Sequence, residues 1–335
     1  MTPRVSVLLP VRDAAATLPY ALASLRAQSL EEYEVVAVLD GSRDASDAIL
    51  ADAARADARI RALRTPPAGL VAALNRAAEA ARAPLLARFD ADDLARPERL
   101  ELQVERLARD PGVDVLGSRV ALLAAPGLQN TGMRAYVDWQ NGLLDHAAIV
   151  ADLYVESPLV HPSVALRATL LRELGGYRDT GGPEDYDLWL RAHARGARFA
   201  KCPETLLDWR DRADRLTRSD ARYAPQRFFE AKLAALVGGP LAGSRPVVVW
   251  GAGKVGKAWG RRLRASGRVL AAFVEVDPRK LGQRIHGAPV VAVAFADRFP
   301  AALHLLAVGQ PGARARIRRE AAGLGLDLRD VIAVA

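Results

Sequence analysis

The feature that most constrains the fold is an alternation of β-rich runs with helical periodicity over the first 120 residues. The run VSVLLPV precedes LPYALASLRAQ, in which Leu18, Leu22 and Leu25 share one helical face. The alternation continues through EVVAVLD, RIRALRT, PLLARFD and VDVLGSRVALL. Strands that alternate with helices form βαβ units. The sequence therefore predicts an α/β fold with a mainly parallel sheet flanked by helices.

Charge is divided unevenly along the 335 residues. Residues 241–335 contain 16 Lys/Arg and 6 Asp/Glu, whereas residues 1–240 contain 31 and 33. The segment GGPLAGSRP has linker composition, and a strand-like run begins again beyond it. We therefore predict a first domain at 1–238, a linker at 239–246 and a small α/β domain at 247–335.

Composition also narrows the location and the partners. Cys202 is the one cysteine, so no internal disulfide can form and a reducing compartment is expected. No secretory signal and no apolar run of about 18 residues is present. These features predict a cytoplasmic protein. The net charge of +8 is compatible with anionic lipid or nucleic acid, but arginine-rich composition explains it equally. We predict no nucleic-acid partner, and keep peripheral contact at the inner face of the membrane as an alternative.

Three carboxylates, Asp90, Asp92 and Asp93, follow the fourth predicted strand in LLARFDADDLARPERL. They could form a solvated turn, cap the helix that Pro97 starts, or bind a cation. A cap explains one carboxylate, and three within about 10 Å repel one another unless water or a cation compensates. Strand ends of this kind bind ligands in open α/β sheets. The cluster therefore favours a hard divalent cation with oxygen ligands.

Two further acidic positions are candidates for function. Glu184 and Asp185 open a predicted helix after GGP, where they either complement the helix dipole or act as catalytic carboxylates on a glycine-flanked loop. Asp40 ends the second predicted strand, so it should share a sheet edge with Asp90 and could accept hydrogen bonds from a nucleobase or ribose. It also suits a turn before Gly41.

Over residues 4–220 the sequence resembles the family 2 glycosyltransferases of the GT-A fold, and is most similar to the branch that builds bacterial cell-surface polysaccharides. The resemblance implies a nucleotide-sugar donor, with uridine as the default base. It also implies an acceptor hydroxyl on a glycan or lipid-linked precursor. The segments that carry the resemblance are VSVLLPVRD, VVAVLDGSRDAS, GLVAALNRAAEAA, LARFDADDLARPERLELQVERL, HPSVALRATLLRELGGYRD, EDYDLWLRA and WRDRADRLTRS.

The resemblance implies a nucleotide pocket built from strand ends. Pro10, Arg12, Asp40 and Arg64 would line it, with Asp40 on the base and Asp90 near the ribose. The sequence has no Gln-x-x-Arg-Trp segment of the kind that processive members carry. Addition of a single sugar is therefore expected.

The resemblance also implies the roles of the reacting groups. Asp92 would hold Mg²⁺ or Mn²⁺ on the donor diphosphate. Asp185 would be the general base of an inverting displacement, with Glu184 beside it on the acceptor. Arg212 stands where many relatives have a histidine that helps to hold the metal or diphosphate. An arginine cannot coordinate a cation, but it can bind phosphate or acceptor directly. His161 is expected to be structural.

The C-terminal domain carries a glycine pattern of its own. Gly251, Gly253 and Gly256 lie between a predicted strand and helix, and Glu275 and Asp277 follow about 20 residues later, where dinucleotide-binding folds place a ribose-binding acid. Through GAGKVG and VDPRKLGQRIHGAPVV the segment resembles the small nucleotide-binding domain of sugar acyltransferases. It is either a Rossmann-like nucleotide site or a structural and docking module.

Two other functions compete with the glycosyltransferase. A sugar nucleotidyltransferase also places acidic pairs at strand ends, but it usually needs a lysine near the triphosphate, and residues 1–200 contain none. A non-catalytic nucleotide-binding or docking protein would need a degenerate N-terminal domain. The intact Asp90, Asp92 and Asp185 argue against that degeneracy.

Overall fold

The computed structural model describes residues 2–124, 131–212, 215–310 and 312–335. The chain forms two compact units. The N-terminal unit comprises Met1–Ile149 and Pro158–Arg227, and the C-terminal unit comprises Val150–Ser157 and Phe228–Ala335. This division falls inside a helix, and the domain limits predicted at 238 and 247 stay predictions.

The N-terminal unit has the predicted alternation of strands and helices. Its strands are β1 (Val5–Val11), β2 (Tyr33–Asp40), β3 (Ile60–Thr65), β4 (Leu85–Arg88), β5 (Leu94–Ala95), β6 (Val115–Ala124), β7 (Ala165–Arg167) and β8 (Phe199–Asp211). Ten α-helices begin in the described part of this unit: α1 (Leu18–Arg26), α2 (Ser46–Ala56), α3 (Leu70–Ala80), α4 (Arg99–Arg109), α5 (Thr131–Gly142), α6 (His146–Ala151), α7 (Ala168–Glu173), α8 (Glu184–Ala194), α9 (Leu216–Ser219) and α10 (Pro225–Gly238). Helices α6 and α10 extend across the limits of the unit.

In the described residues, these strands form one eight-stranded sheet in the order β3-β2-β1-β4-β7-β6-β8-β5. Strands β1 to β4 are parallel, and β7 runs antiparallel between β4 and β6. The predicted α/β class with a mainly parallel sheet is therefore confirmed. Helices α5 and α6 lie between β6 and β7, and 125–130 lie outside the described residues.

The central strands explain where polar residues collect. Every residue of β1 and β2 is buried, as expected for parallel strands covered by helices on both faces. Val11 pairs with Leu39, and Leu8 pairs with Arg88, so the carboxyl ends of β1, β2 and β4 lie along one edge. The sheet therefore presents the residues that follow these strands together.

The C-terminal unit contains a second α/β layer. Its strands are β9 (Val247–Trp250), β10 (Leu270–Val274), β11 (Arg284–Ile285), β12 (Ala288–Val291), β13 (Leu303–Leu306) and β14 (Val331–Ala333). They form a sheet in the order β11-β12-β10-β9-β13-β14, which is parallel except at β11. Helices α11 (Lys254–Ala265) and α12 (Ala313–Gly323) complete the Rossmann-like unit.

The turn from β9 into α11 depends on two glycines. Gly251 has a φ of +100°, which side chains rarely adopt. A Cβ on Gly256 would lie 1.8 Å from the Gly251 carbonyl oxygen, so the helix approaches the turn more closely than any other residue allows. The third glycine of the pattern therefore has a packing role, whether or not a ligand binds.

Among the described residues, no helix combines the length and the apolar character that crossing a bilayer requires.

The close approach at Gly256 predicts a large effect of one methyl group. Gly256→Ala should lower the free energy of unfolding of the C-terminal unit by about 1–3 kcal/mol, because backbone must move to admit the methyl group. Gly309→Ala is the matched control, since its Cβ would meet nothing within 4 Å, and should cost less than about 0.5 kcal/mol. Urea unfolding followed by tryptophan fluorescence measures both; equal losses would contradict the packing role.

Candidate functional site

An acidic turn connects β4 to β5. Asp90, Asp92 and Asp93 each offer one carboxylate oxygen, and these oxygens lie within 4.8 Å of one another. Helix α4 begins only at Arg99, with Glu98 at its cap position, so neither Asp92 nor Asp93 caps it. Helix capping is therefore the wrong explanation for this cluster, and mutual repulsion has to be balanced by positive charge.

Arginines from two strands supply part of that balance. Arg88, at the end of β4, forms an ion pair with Asp90 and is only 4% exposed. Arg212, just beyond β8, has its Nε 3.3 Å from Asp92 Oδ2 and is 37% exposed. Burial opposes the charge on Arg88, but the Asp90 carboxylate outweighs that effect and raises the pKa of the guanidinium. Asp90 and Asp92 thus each contact a guanidinium group.

Asp93 ties the turn to β8. Its Oδ1 accepts a hydrogen bond of 2.8 Å from the Arg210 amide, and Arg210 Nε donates to the Asp92 carbonyl at 2.7 Å. Burial, followed by the charges of Asp90 and Asp92, raises the pKa of the Asp93 carboxyl. Its Oδ2 is buried and has no hydrogen-bond partner among the described residues.

The turn fits a divalent cation. It offers hard oxygen donors without nitrogen or sulfur, which suits Mg²⁺ or Mn²⁺. Asp93 Oδ2 is buried without a hydrogen-bond partner among the described residues, and a cation would give it one. Burial, and then the charge of Asp90, raise the pKa of Asp92, and a nearby positive charge would lower it again.

The end of β2 forms the second part of the site. Asp40 is buried and accepts hydrogen bonds from the backbone amides of Ala68 and Gly69, while Arg12 lies 3.3 Å from its Oδ2. Gly41 has a φ of +61°, and a Cβ there would lie 2.8 Å from Pro67, so the loop after β3 packs closely beside the end of β2. Asp40 thus holds the loop after β3 beside the end of β1.

The other predicted nucleotide residues are placed differently. Pro10 is a buried residue of β1 that pairs with Val38 of β2. Arg64 lies near the end of β3, where its guanidinium binds the Asp47 carboxylate at 2.6 Å and stays 57% exposed. The structure therefore brings Arg12 to Asp40, whereas Arg64 turns towards α2.

The first turn of α8 carries the second acidic group. Glu184 is buried, and its Oε2 accepts a hydrogen bond of 2.8 Å from the Tyr223 hydroxyl. His161 Nδ1 lies 3.7 Å from Glu184 Oε1, while its Nε2 shares a hydrogen bond of 3.0 Å with the Tyr177 hydroxyl. His161 thus contacts both Glu184 and Tyr177, and its predicted structural role stays a prediction.

The two neighbouring carboxyls have pKa values shifted in opposite directions. Burial opposes ionisation of Glu184, but His161 and Tyr223 outweigh it and lower the pKa of Glu184 to about 2. Burial and then the charge of Glu184 raise the pKa of half-buried Asp185 to about 8. Such a divergence is typical of an acid–base site, because the two groups hold different protonation states at one pH.

Arg88 links the two acidic groups. Besides its ion pair with Asp90, it interacts electrostatically with Glu184 and Asp185. The acidic turn and the first turn of α8, almost a hundred residues apart in the chain, therefore belong to one electrostatic cluster. The sequence analysis identified these carboxylates as candidates, but it did not identify Arg88, which interacts with both groups.

Several residues of the site were missed from the sequence. Arg88 had a detectable signal, because it interrupts an apolar strand and shares a strand face with Asp90. Buried Arg99 donates to the Arg88 carbonyl at 2.7 Å and supports the turn from below. Nothing in the local sequence marks Tyr177 or Tyr223, whose contacts depend on the tertiary fold.

In the C-terminal unit, Glu275, one of the two predicted acids, contacts the glycine turn. Glu275 accepts a hydrogen bond of 2.9 Å from the Ala252 amide and one of 3.0 Å from Lys280. Asp277 is bound by Arg279 at 3.0 Å. A nucleotide at Gly251, Gly253, Gly256 and Asp277 stays a prediction.

The fold and the strand-edge site define the class of protein. The N-terminal sheet is that of GT-A glycosyltransferases, and the solved structure of S. aureus TarS with UDP-GlcNAc is similar, with a TM-score of 0.55 and 19% identity over 71% of this chain and 67% of that one. Mannosyltransferase PcManGT from Pyrobaculum calidifontis, solved with GDP-Man and Mn²⁺, has a TM-score of 0.50 and 18% identity over 80% and 81%.

The sequence comparisons give the family. The family model for glycosyl transferase family 2 matches residues 6–175, so the chain belongs to that family and is a glycosyltransferase. An Escherichia coli relative, UDP-Gal:alpha-D-GlcNAc-diphosphoundecaprenol beta-1,3-galactosyltransferase, is 29% identical over 213 residues, 62% of this chain and 74% of that protein.

Proposed function

We propose that this glycosyltransferase moves one sugar from a nucleotide-diphosphate donor, foremost a UDP-sugar, to a hydroxyl of a cell-surface glycan or lipid-linked precursor. The transfer is inverting and uses Mg²⁺ or Mn²⁺. The observation that carries the proposal is the electrostatic cluster of the acidic turn, Arg88 and Asp185 at one edge of the sheet. The ligands named for TarS, PcManGT and the Escherichia coli relative support the donor class.

The donor lies across the carboxyl ends of the strands. Pro10, Arg12 and Asp40 line the nucleoside pocket, with Asp40 already fixed by two backbone amides. Asp90 faces the ribose. Arg64 contacts the nucleotide after its exposed ion pair with Asp47 has broken. A pocket wall that is held in place before binding lowers the entropic cost of ordering the nucleotide.

The acidic turn holds the cation. Asp92 is its main ligand, and the unpartnered oxygen of Asp93 is available beside it. The cation acts as a Lewis acid that neutralises the charge of the departing diphosphate. Arg210 keeps the turn against β8, so the carboxylates stay in place during the reaction.

Asp185 is the general base. Its carboxylate accepts the proton of the acceptor hydroxyl while that oxygen attacks the anomeric carbon. A pKa of about 8 makes the carboxylate a stronger base than an ordinary aspartate. Glu184 stays ionised and orients the acceptor from the position that His161 and Tyr223 fix. A single displacement without a covalent intermediate inverts the configuration.

Removing either central carboxylate should abolish transfer. We expect Asp92→Asn and Asp185→Asn each to lower kcat by about 100-fold or more, because one loses the cation and the other the base. Asp52→Asn, at an exposed site on α2, is the matched control and should leave kcat unchanged. Sugar transfer from a panel of UDP- and GDP-sugars, with and without Mn²⁺, measures this. Full activity of either variant would refute the proposal.

The shifted pKa of Asp185 predicts the pH dependence. The base must be deprotonated, so kcat/KM should rise with pH through about 8 and level off above it. Glu184→Gln removes the adjacent negative charge, which lowers the pKa of Asp185 and should move the rising limb to lower pH. Initial rates across the pH range test this, and a limb that Glu184→Gln leaves in place would contradict the coupling.

The basic C-terminal unit supports peripheral membrane contact as part of the function. Lys254, Lys257, Arg261 and Arg264 recur at intervals of three or four residues along α11, so they form one exposed basic stripe. Helix α11 contains no acidic residue. Anionic headgroups attract such a stripe at about 1 kcal/mol per basic residue, which would bring the enzyme to a lipid-linked acceptor.

The stripe predicts charge-dependent binding to vesicles. The protein should sediment with phosphatidylglycerol-containing vesicles and not with pure phosphatidylcholine vesicles. Lys257→Glu with Arg261→Glu should abolish sedimentation, whereas Arg55→Glu with Arg172→Glu, exposed positions of the N-terminal unit, changes net charge equally and should not. Equal losses for both pairs would show that net charge, and not this stripe, is responsible.

A further inference from the structure

The two guanidinium groups at the acidic turn differ in their exposure to solvent. Arg88 belongs to a central strand, is 4% exposed, and its backbone carbonyl is held by Arg99. Arg212 lies at the rim beyond β8, is 37% exposed, and reaches Asp92 Oδ2 at 3.3 Å. Arg88 is therefore the more buried and more firmly held of the two, whereas Arg212 meets Asp92 at the exposed rim of the turn.

We propose that Arg212 is a latch on Asp92, which makes the binding of the cation and of the donor diphosphate depend on each other. The proposal rests on the proposed function and adds to it how the binding of the cation and the binding of the donor are linked. Before the donor arrives, the Arg212 guanidinium occupies the carboxylate oxygen that the cation needs. When the donor binds, its diphosphate takes the guanidinium and Asp92 is released.

Competition for one oxygen predicts that the cation alone binds weakly. A divalent cation at Asp92 would lie within a few ångströms of the Arg212 guanidinium, and like charges at that distance repel strongly in a partly buried site. The cation must therefore displace Arg212 into solvent. That displacement has a free-energy cost which is subtracted from the affinity.

The donor diphosphate removes this cost. Guanidinium groups bind phosphate oxygens through paired, charge-assisted hydrogen bonds, so the displaced Arg212 gains an anionic partner. Each ligand then favours the state that the other binds, and the coupling is the same in both directions by thermodynamic linkage. The diphosphate also ligates the cation directly, so the contribution of Arg212 has to be isolated with the cation alone.

The turn itself is built to keep its shape when the latch opens. Arg210 donates its amide to Asp93 and its Nε to the Asp92 carbonyl, and neither bond involves Arg212. Loss of the Arg212–Asp92 contact therefore changes the charge at Asp92 and leaves its backbone fixed. A substitution of Arg212 can test the latch while these two bonds keep the site folded.

The test is Mn²⁺ binding without nucleotide, measured by the electron paramagnetic resonance signal of free Mn²⁺. Arg212→Gln should bind Mn²⁺ about tenfold or more tightly than the wild type, because the competing charge is gone. Arg212→Lys keeps that charge and should stay within about threefold of the wild type. Arg96→Gln removes an exposed guanidinium that pairs with Asp208, and should leave Mn²⁺ affinity unchanged.

Further arms separate the latch from the proposed function. Adding Asp92→Asn to Arg212→Gln should abolish the gained Mn²⁺ affinity. Saturating UDP, or GDP, should tighten Mn²⁺ binding more in the wild type than in Arg212→Gln. If Arg212→Gln binds Mn²⁺ no more tightly than the wild type, although binding needs Asp92, the latch is refuted and the cation-dependent transferase stands. If neither Mn²⁺ nor nucleotide binds through Asp92 in any variant, both proposals fail.

Discussion

The site depends on charge balance at the end of β4. Three carboxylates whose oxygens lie within 4.8 Å of one another would repel strongly if they were left alone. Arg88 holds Asp90, Arg212 holds Asp92, and the Arg210 amide binds Asp93. The hydrogen bonds from Arg210 also hold the end of β8 against the turn. The arrangement leaves one buried oxygen of Asp93 without a hydrogen-bond partner in the described residues, and a cation would satisfy it.

The same balance connects the turn with α8. Arg88 stabilises negative charge on both sides. His161 and Tyr223 lower the pKa of Glu184, while burial and the charge of Glu184 raise the pKa of Asp185. A parallel sheet brings the acidic turn and the first turn of α8 together, because segments that are far apart in sequence end at the same edge of the sheet. In the proposed mechanism, the leaving diphosphate and the accepting base therefore act within one electrostatic field.

The sequence predicted the fold and the acidic positions because both depend on local patterns. Alternating periodicity gave the parallel sheet, and strand ends located Asp40, Asp90 and the aspartates after it. It could not show that Arg212 contacts Asp92, since that pairing depends on how β8 returns across the sheet. For the same reason it named Glu275 and Asp277 together, and could not show that Glu275 contacts the glycine loop while Asp277 pairs with Arg279. Side-chain direction is a tertiary property.

The position of a bound Mn²⁺ measures the role of the acidic turn most directly. Crystals grown with UDP and Mn²⁺ would locate the ion by its anomalous scattering. We expect one peak in contact with Asp92 and the nucleotide diphosphate, with Arg212 turned from Asp92 to a phosphate oxygen. A nucleotide bound at the strand edge with no ion near Asp92, and with Arg212 still on that carboxylate, would contradict this role.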